Sequence, residues 1–328
     1  MAILVTGGAG YIGSHTVAEL LEKGEEVVVV DNLQTGHREA VLGGTFYQAD
    51  IRDSDAMDRI FAKHEIEAVI HFAANSLVGE SVEKPLKYYD NNVYGSQKLM
   101  EVMVKHGVRK IVFSSTAAVY GEPQRVPIDE HDLTVPTNPY GDTKLAMEKM
   151  FRWGDRAHGI KSISLRYFNA AGAHPNGLIG EDHNPETHLI PVILQVPLGK
   201  RDAISVFGDD YPTEDGTCIR DYIHVTDLAN AHYLALMRLR DKEESGIYNL
   251  GNGQGFSVKQ VIEVTRRVTG HAIPAKVSPR RAGDPAVLVA SSERARTELG
   301  WKPQYADLEK IVETAWSWFQ RHPNGYGH

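Results

Sequence analysis

Gly7, Gly10 and Gly13 stand three residues apart, between an apolar run and a helical pattern. Glycines so placed allow a tight turn and a close approach of backbone N–H groups to a pyrophosphate. They also let a helix pack near its strand, with its positive dipole end toward the phosphates. Asp31 follows Gly13 by 18 residues and ends the next apolar run. A carboxylate there accepts both ribose hydroxyls of an adenosine and repels a 2′-phosphate, which favours NAD over NADP. Tyr140 and Lys144 form a second set, one turn apart on one helix face. A free phenol titrates at about pH 10 and is a poor base at neutrality. A neighbouring ammonium and a cationic nicotinamide ring both favour the phenolate, so the pair suits removal of a hydroxyl proton beside a hydride transfer. Thr116, after Phe113-Ser114-Ser115, adds a hydroxyl able to hold a substrate oxygen and relay the proton.

These residues need strands that end at a common edge. Short apolar runs at Ala2–Thr6, Val27–Val30, Phe46-Tyr47, Ala68–Phe72, Lys110–Ser114 and Ser162–Tyr167 alternate with helical patterns, the first from Ile12 to Lys23. Such alternation predicts an α/β fold, a Rossmann-type doubly wound parallel sheet with helices on both faces. Residues 172–191 read as loop, and Val258–Thr269 and Leu308–Phe319 as helices of a smaller mixed α/β lobe. The expected division is 1–172 for NAD and 173–328 for substrate, with the chain free to cross back.

The 328 residues carry 35 Lys and Arg against 43 Asp and Glu, a formal net charge of −8. That charge argues against nucleic acid or an anionic membrane surface as partner. It does not exclude a small diphosphate, which needs only local cations. No apolar stretch reaches the roughly 20 residues of a membrane span. The single cysteine, Cys218, cannot form an intramolecular disulfide. With glycines following so soon after Met1, no signal peptide and a cytoplasmic location are expected.

The Gly-x-x-Gly-x-x-Gly spacing with Tyr-x-x-x-Lys resembles the extended short-chain dehydrogenases/reductases. Longer stretches, Phe113–Gly121, Arg166–Asn169, Asp209–Thr217, Arg220–His224 and Arg321–Tyr326, resemble the UDP-glucose 4-epimerase family. The resemblance runs almost the whole chain and implies an isomerase that oxidises and re-reduces a UDP-sugar at C4 with tightly held NAD. Related nucleotide-sugar 4,6-dehydratases carry an Asp-Glu pair after the Thr. Here Ala117 and Ala118 stand there, so elimination of water lacks its acid and base. A binding-only relative lacks the Tyr or Lys, and a net oxidoreductase consumes NAD; both remain alternatives for the fold.

Carried over residue by residue, the resemblance implies NAD contacts at Tyr11, Ile12, Asp31, Asn32, Asp50, Ile51, Phe72, Ala73, Ala74, Asn91 and Phe168, beside the three glycines, Tyr140 and Lys144. Ser76 replaces a Lys that in many relatives reaches the pyrophosphate. For the nucleotide sugar it implies Asn169, Leu189, Phe207, Arg220, Arg281, Asp284 and Leu288, with Thr116 and Tyr140. Arginines suit a diphosphate because each can bind it with two parallel hydrogen bonds. Aligned through Gly283-Asp284, Leu288 falls where relatives carry a Tyr that excludes an N-acetyl group, so UDP-N-acetylhexosamines are expected to fit. Leu288 reads equally as ordinary core. No metal ligands are assigned. Apolar stripes at Ala146, Met150, Trp153 and Ala157, and at Tyr89, Val93, Ser96, Met100 and Met103 after Leu86, agree with the family in implying a homodimer.

Overall fold

The structure, a computed structural model, describes residues 1–281 and 284–327. Strand β1 (Ala2–Thr6) leads through the glycine turn into α1 (Tyr11–Glu22), then β2 (Glu26–Asp31), β3 (Thr45–Gln48), α2 (Ser54–Lys63) and β4 (Ile66–His71). Next come α3 (Val78–Glu83), α4 (Pro85–Tyr88), a π-helical stretch Tyr89–Tyr94 and α5 (Gly95–His106). Strand β5 (Lys110–Thr116), α6 (Pro139–His158) and β6 (Lys161–Tyr167) complete the first half. The second half runs β7 (Asn169–Ala171), α7 (Leu189–Leu194), β8 (Ile204–Phe207), β9 (Ile219–His224), α8 (Val225–Lys242) and β10 (Gly246–Leu250). It ends with β11 (Gly255–Ser257), α9 (Val258–Thr269), β12 (Ala275–Ser278), β13 (Val287–Leu288), α10 (Glu293–Glu298) and α11 (Leu308–Arg321).

The large sheet is parallel throughout, in the order β10-β6-β5-β4-β1-β2-β3. Its strands are near-continuous apolar runs because both faces are covered. Ile3, Val5, Val27 and Val29 pack toward α1 and α8, whereas Leu4, Val28 and Val30 pack toward α2, α5 and α6. The strand order reverses between β4 and β1, and an α/β sheet opens its ligand crevice at such a reversal, outside the carboxyl ends of the strands.

Beyond residue 172, β10 joins the large sheet and α8 packs into its core. The second lobe is built around β9, which pairs with β7, β11 and β13, and around a separate β8–β12 pair. Its core brings together α7, α9 and α11. Among the described residues, no helix is long and apolar enough to cross a membrane.

Candidate active site

One cleft of about 1030 Å³ opens at the strand reversal between the two lobes. Gly7, Gly10, Tyr11, Ile12 and Gly13 line its floor. Gly7 has φ +72°, and a Cβ there would lie 2.6 Å from the Ala73 nitrogen. At Gly13 a Cβ would lie 2.1 Å from the Gly7 carbonyl oxygen, so only glycine lets α1 approach the turn so closely. Asp31, also in the wall, accepts hydrogen bonds from the Ala9 N–H (3.0 Å) and the Leu33 N–H (2.8 Å). Burial raises its carboxyl above the usual range, partly offset by those N–H donors. Asn32 donates to Asp50 Oδ2 (3.0 Å), which Arg52 also pairs at 2.7 Å. Ile51, Phe72, Ala73, Ala74, Ser76, Asn91 and Phe168 complete this half of the wall.

Thr116 ends β5, and its Oγ1 accepts a hydrogen bond from the Ala118 N–H at 3.1 Å. That leaves the hydroxyl hydrogen to donate to Tyr140. Asn138 caps α6 by accepting from the Gly141 N–H at 2.9 Å, with Pro139 in the first turn, and this fixes Tyr140 at the helix start. Burial raises the Tyr140 phenol, and the Thr116 hydrogen bond opposes the rise. Lys144 Nζ stands 5.9 Å from the Tyr140 ring centroid and donates to the Ser114 carbonyl at 2.9 Å. Burial brings its ammonium down to about 7, Glu148 working in the opposite direction. Burial thus works against charge on both groups. A cationic ring brought beside Tyr140 would turn the balance toward phenolate.

Behind these groups lie partners that local patterns did not reveal. Glu148, one turn beyond Lys144, accepts from Arg166 at 2.9 and 2.6 Å and from Ser115 at 2.5 Å. Ser114 and Tyr167 hydroxyls meet at 2.5 Å, and both residues line the cleft. Their adjacency to Thr116 and Phe168 was the available signal.

From the second lobe, Asn169, Arg220, Arg281, Asp284 and Leu288 face the same cleft. Arg220 pairs with Asp284, and Arg281 lies over the Phe207 ring at 4.0 Å. Gly283 lies outside the described residues. Two expected residues fall elsewhere: Phe207 reaches the cleft only through Arg281, and Leu189 turns into the second-lobe core because it opens the apolar face of α7. Leu288 lines the cleft and also packs against a cluster of Val119, Tyr120, Ile128 and Leu145. Ala117 and Ala118 also face the cleft, so no carboxylate follows Thr116. The rim carries Glu181, His183 and His188, which sequence reasoning left unassigned.

The wall therefore brings together a glycine turn, a buried carboxylate, a buried Tyr–Lys pair and two arginines, a set that fits a dinucleotide beside an anionic substrate. Residues 3–251 match the model of the NAD dependent epimerase/dehydratase family. Over 326 residues the chain is 66% identical to a UDP-glucose 4-epimerase of Halalkalibacterium halodurans, covering 99% of this chain and 98% of that one. A crystal structure of a UDP-glucose 4-epimerase, 58% identical, superposes with a TM-score of 0.98 over 100% of both chains. Another, from Bifidobacterium longum in complex with NAD+ and UDP, is 43% identical with a TM-score of 0.94, covering 99% of this chain and 100% of that one.

Proposed function

This chain belongs to the NAD dependent epimerase/dehydratase family, and from that premise we propose that it interconverts UDP-glucose and UDP-galactose. The observation that carries the reading is the meeting of Thr116, Tyr140 and Lys144 with the glycine turn, Asp31, Arg220 and Arg281 in one cleft. Tyr140 takes the proton of the sugar 4-hydroxyl, Thr116 holds that oxygen, and Lys144 favours the phenolate that Tyr140 needs. NAD, which the glycine turn and Asp31 would hold, would supply the hydride acceptor for C4 and the donor for its return to the opposite face. Arg220 and Arg281 grip the diphosphate, so that the sugar ring itself stays free to turn between the two half-reactions. Tyr140 then returns the proton, and the absence of carboxylates at Ala117 and Ala118 keeps the keto sugar from losing water.

The test is incubation of the purified protein with UDP-galactose and no added cofactor, with the sugar product identified by NMR. UDP-glucose appears without build-up of reduced cofactor. Reduction of no more than the bound cofactor, with a keto sugar and no UDP-glucose formed, would instead show a net oxidoreductase.

Three finer assignments go with this reading. Leu288, facing the cleft where a bulkier ring would narrow it, leaves space for the N-acetyl group of UDP-N-acetylhexosamines. A homodimer forms through α4–α5 and α6: Leu86 is 81% exposed, Trp153 58% and Val104 41%, apolar side chains left uncovered on neighbouring helices. Ser96, Met100 and Met103 are buried within the protomer, so the seam is narrower than the stripe read from sequence. A lone, buried Cys218 suits a reducing cytoplasm.

A further inference from the structure

Between β7 and α7 the chain repeats a Glu-x-His pair, Glu181-x-His183 and Glu186-x-His188, separated by Asn184-Pro185. The turn between them folds the pairs onto each other. His183 Nδ1 lies 3.1 Å from Glu181 Oε1 and 3.6 Å from Glu186 Oε2. His188 Nδ1 lies 2.7 Å from Glu181 Oε1 and 3.1 Å from Glu186 Oε1. One donor atom from each of the four residues lies within 4.8 Å of all the others. Both carboxylates are nearly buried, with side chains 4% and 8% exposed, and among the described residues their only ion-pair partners are these two imidazoles.

We propose that Glu181, His183, Glu186 and His188 hold one divalent first-row transition-metal ion of the Zn²⁺ type at the rim of the cleft. Two imidazole nitrogens with two carboxylates suit such an ion, whereas Ca²⁺ and Mg²⁺ call for oxygen-only sets. Tetrahedral bonds of about 2.0–2.1 Å place neighbouring donors roughly 3.3 Å apart; with Glu186 offering Oε2 to His183 and Oε1 to His188, the N···O separations run from 2.7 to 3.6 Å. Each Nδ1 faces both carboxylates. One N–H cannot serve two acceptors with good geometry, but a central cation serves all four donors. A dication also balances the two buried carboxylates while leaving both imidazoles neutral, the form that ligates metal.

The surroundings hold the ligands in place. Trp318 Nε1 donates to the Glu181 carbonyl at 3.2 Å, and the Tyr326 N–H donates to Asp182 Oδ2 at 2.9 Å. Glu186 Oε1 accepts the backbone N–H groups of Thr187 and His188 at 2.7 and 2.8 Å. Outer contacts of this kind orient first ligands. The His183 ring lies 6.0 Å from that of Tyr11, in the first turn of α1. The ion thus ties residues 181–188 against the rim as a positioning element, and this site goes beyond the epimerase reading and does not depend on it.

The test uses the intact purified protein, dialysed against a chelator and titrated with Co²⁺. Visible d–d bands of a four-coordinate site should saturate at one ion per protomer and vanish on addition of Zn²⁺. His188→Asn, at a half-exposed side chain that the fold can spare, should weaken binding by at least about tenfold. The exposed His158→Asn should leave it unchanged. His183→Ala with His188→Asn should abolish the bands, circular dichroism reporting whether that double variant folds. Should it not fold, the single His188→Asn titration decides. Wild type without bands at millimolar Co²⁺, or His188→Asn binding like wild type, overturns the site and leaves the four residues as a hydrogen-bonded ion-pair cluster.

Discussion

Lys144 is an amine placed where water is nearly absent, 3% exposed, and that placement has a thermodynamic signature. Burial lowers it from 10.5 to about 7. Between those two values the unfolded chain binds more protons than the folded one, so the residue's contribution makes stability rise with pH across that window. Its destabilising effect is complete below about pH 7 and absent above the unfolded value. Lys144→Met should therefore stabilise the cofactor-stripped protein at pH 7 by about 1–4 kcal/mol, with the gain fading toward pH 10.5. Denaturant titrations at several pH values measure this, and activity should fall by at least about a hundredfold. An equal gain at all pH values would contradict a buried ammonium. At Leu288 the prediction concerns selectivity: Leu288→Tyr should cut turnover of UDP-N-acetylglucosamine at least about tenfold more than that of UDP-glucose. Equal loss on both substrates would return Leu288 to a packing role alone. The Tyr-x-x-x-Lys pair and the glycine turn were legible because each is local, its geometry set by residues within a turn or two. The Glu148–Arg166 pair and the Glu181–His188 cluster were not, since their meaning depends on which segments fold against each other.

At the scale of elements, α6 has two jobs, presenting Tyr140 and Lys144 to the cleft and clamping β5 to β6. The clamp is Glu148, which accepts two hydrogen bonds from Arg166, while Arg166 also donates to the Tyr120 hydroxyl at 2.9 Å. Side chains of both partners are about 5% exposed or less, so removal of one leaves the other's charge stranded. Glu148→Ala should cost about 3–5 kcal/mol in chemical denaturation. It should also lower kcat, because Ser115 beside Thr116 loses its acceptor. A loss under 1 kcal/mol, measured the same way, would show that water reaches Arg166. Strands β1, β2 and β4 to β6 could be read from sequence because a strand covered on both faces is a continuous apolar run. Strand β10 could not be placed: Gly246–Leu250 is as apolar as the others, but nothing local says that it returns to pair with β6. The short strands β7, β11 and β13 are two or three residues long, too short for any alternation to register.

On the scale of the whole molecule, the net charge of −8 and the two arginines belong to different questions. Overall charge disfavours long polyanions, while Arg220 and Arg281 line the cleft, where the proposed reading gives them the diphosphate. Assembly follows a similar division between the global and the local. Leu86, Val104 and Trp153 stand exposed on α4, α5 and α6 of the first lobe. A C2 pairing of α4–α5 and α6 with their counterparts would cover this strip while leaving each cleft open, since none of these three residues lines it. Light scattering should then give twice the 36.3 kDa of one chain at micromolar concentration. Trp153→Glu places a charge in the seam and should shift the population to monomer, with the catalytic groups untouched because Trp153 lies more than two turns beyond Lys144 on α6. A monomeric wild type would overturn the dimer. A Trp153→Glu protein that stays dimeric would move the interface off α6, and the exposed strip would then need another explanation.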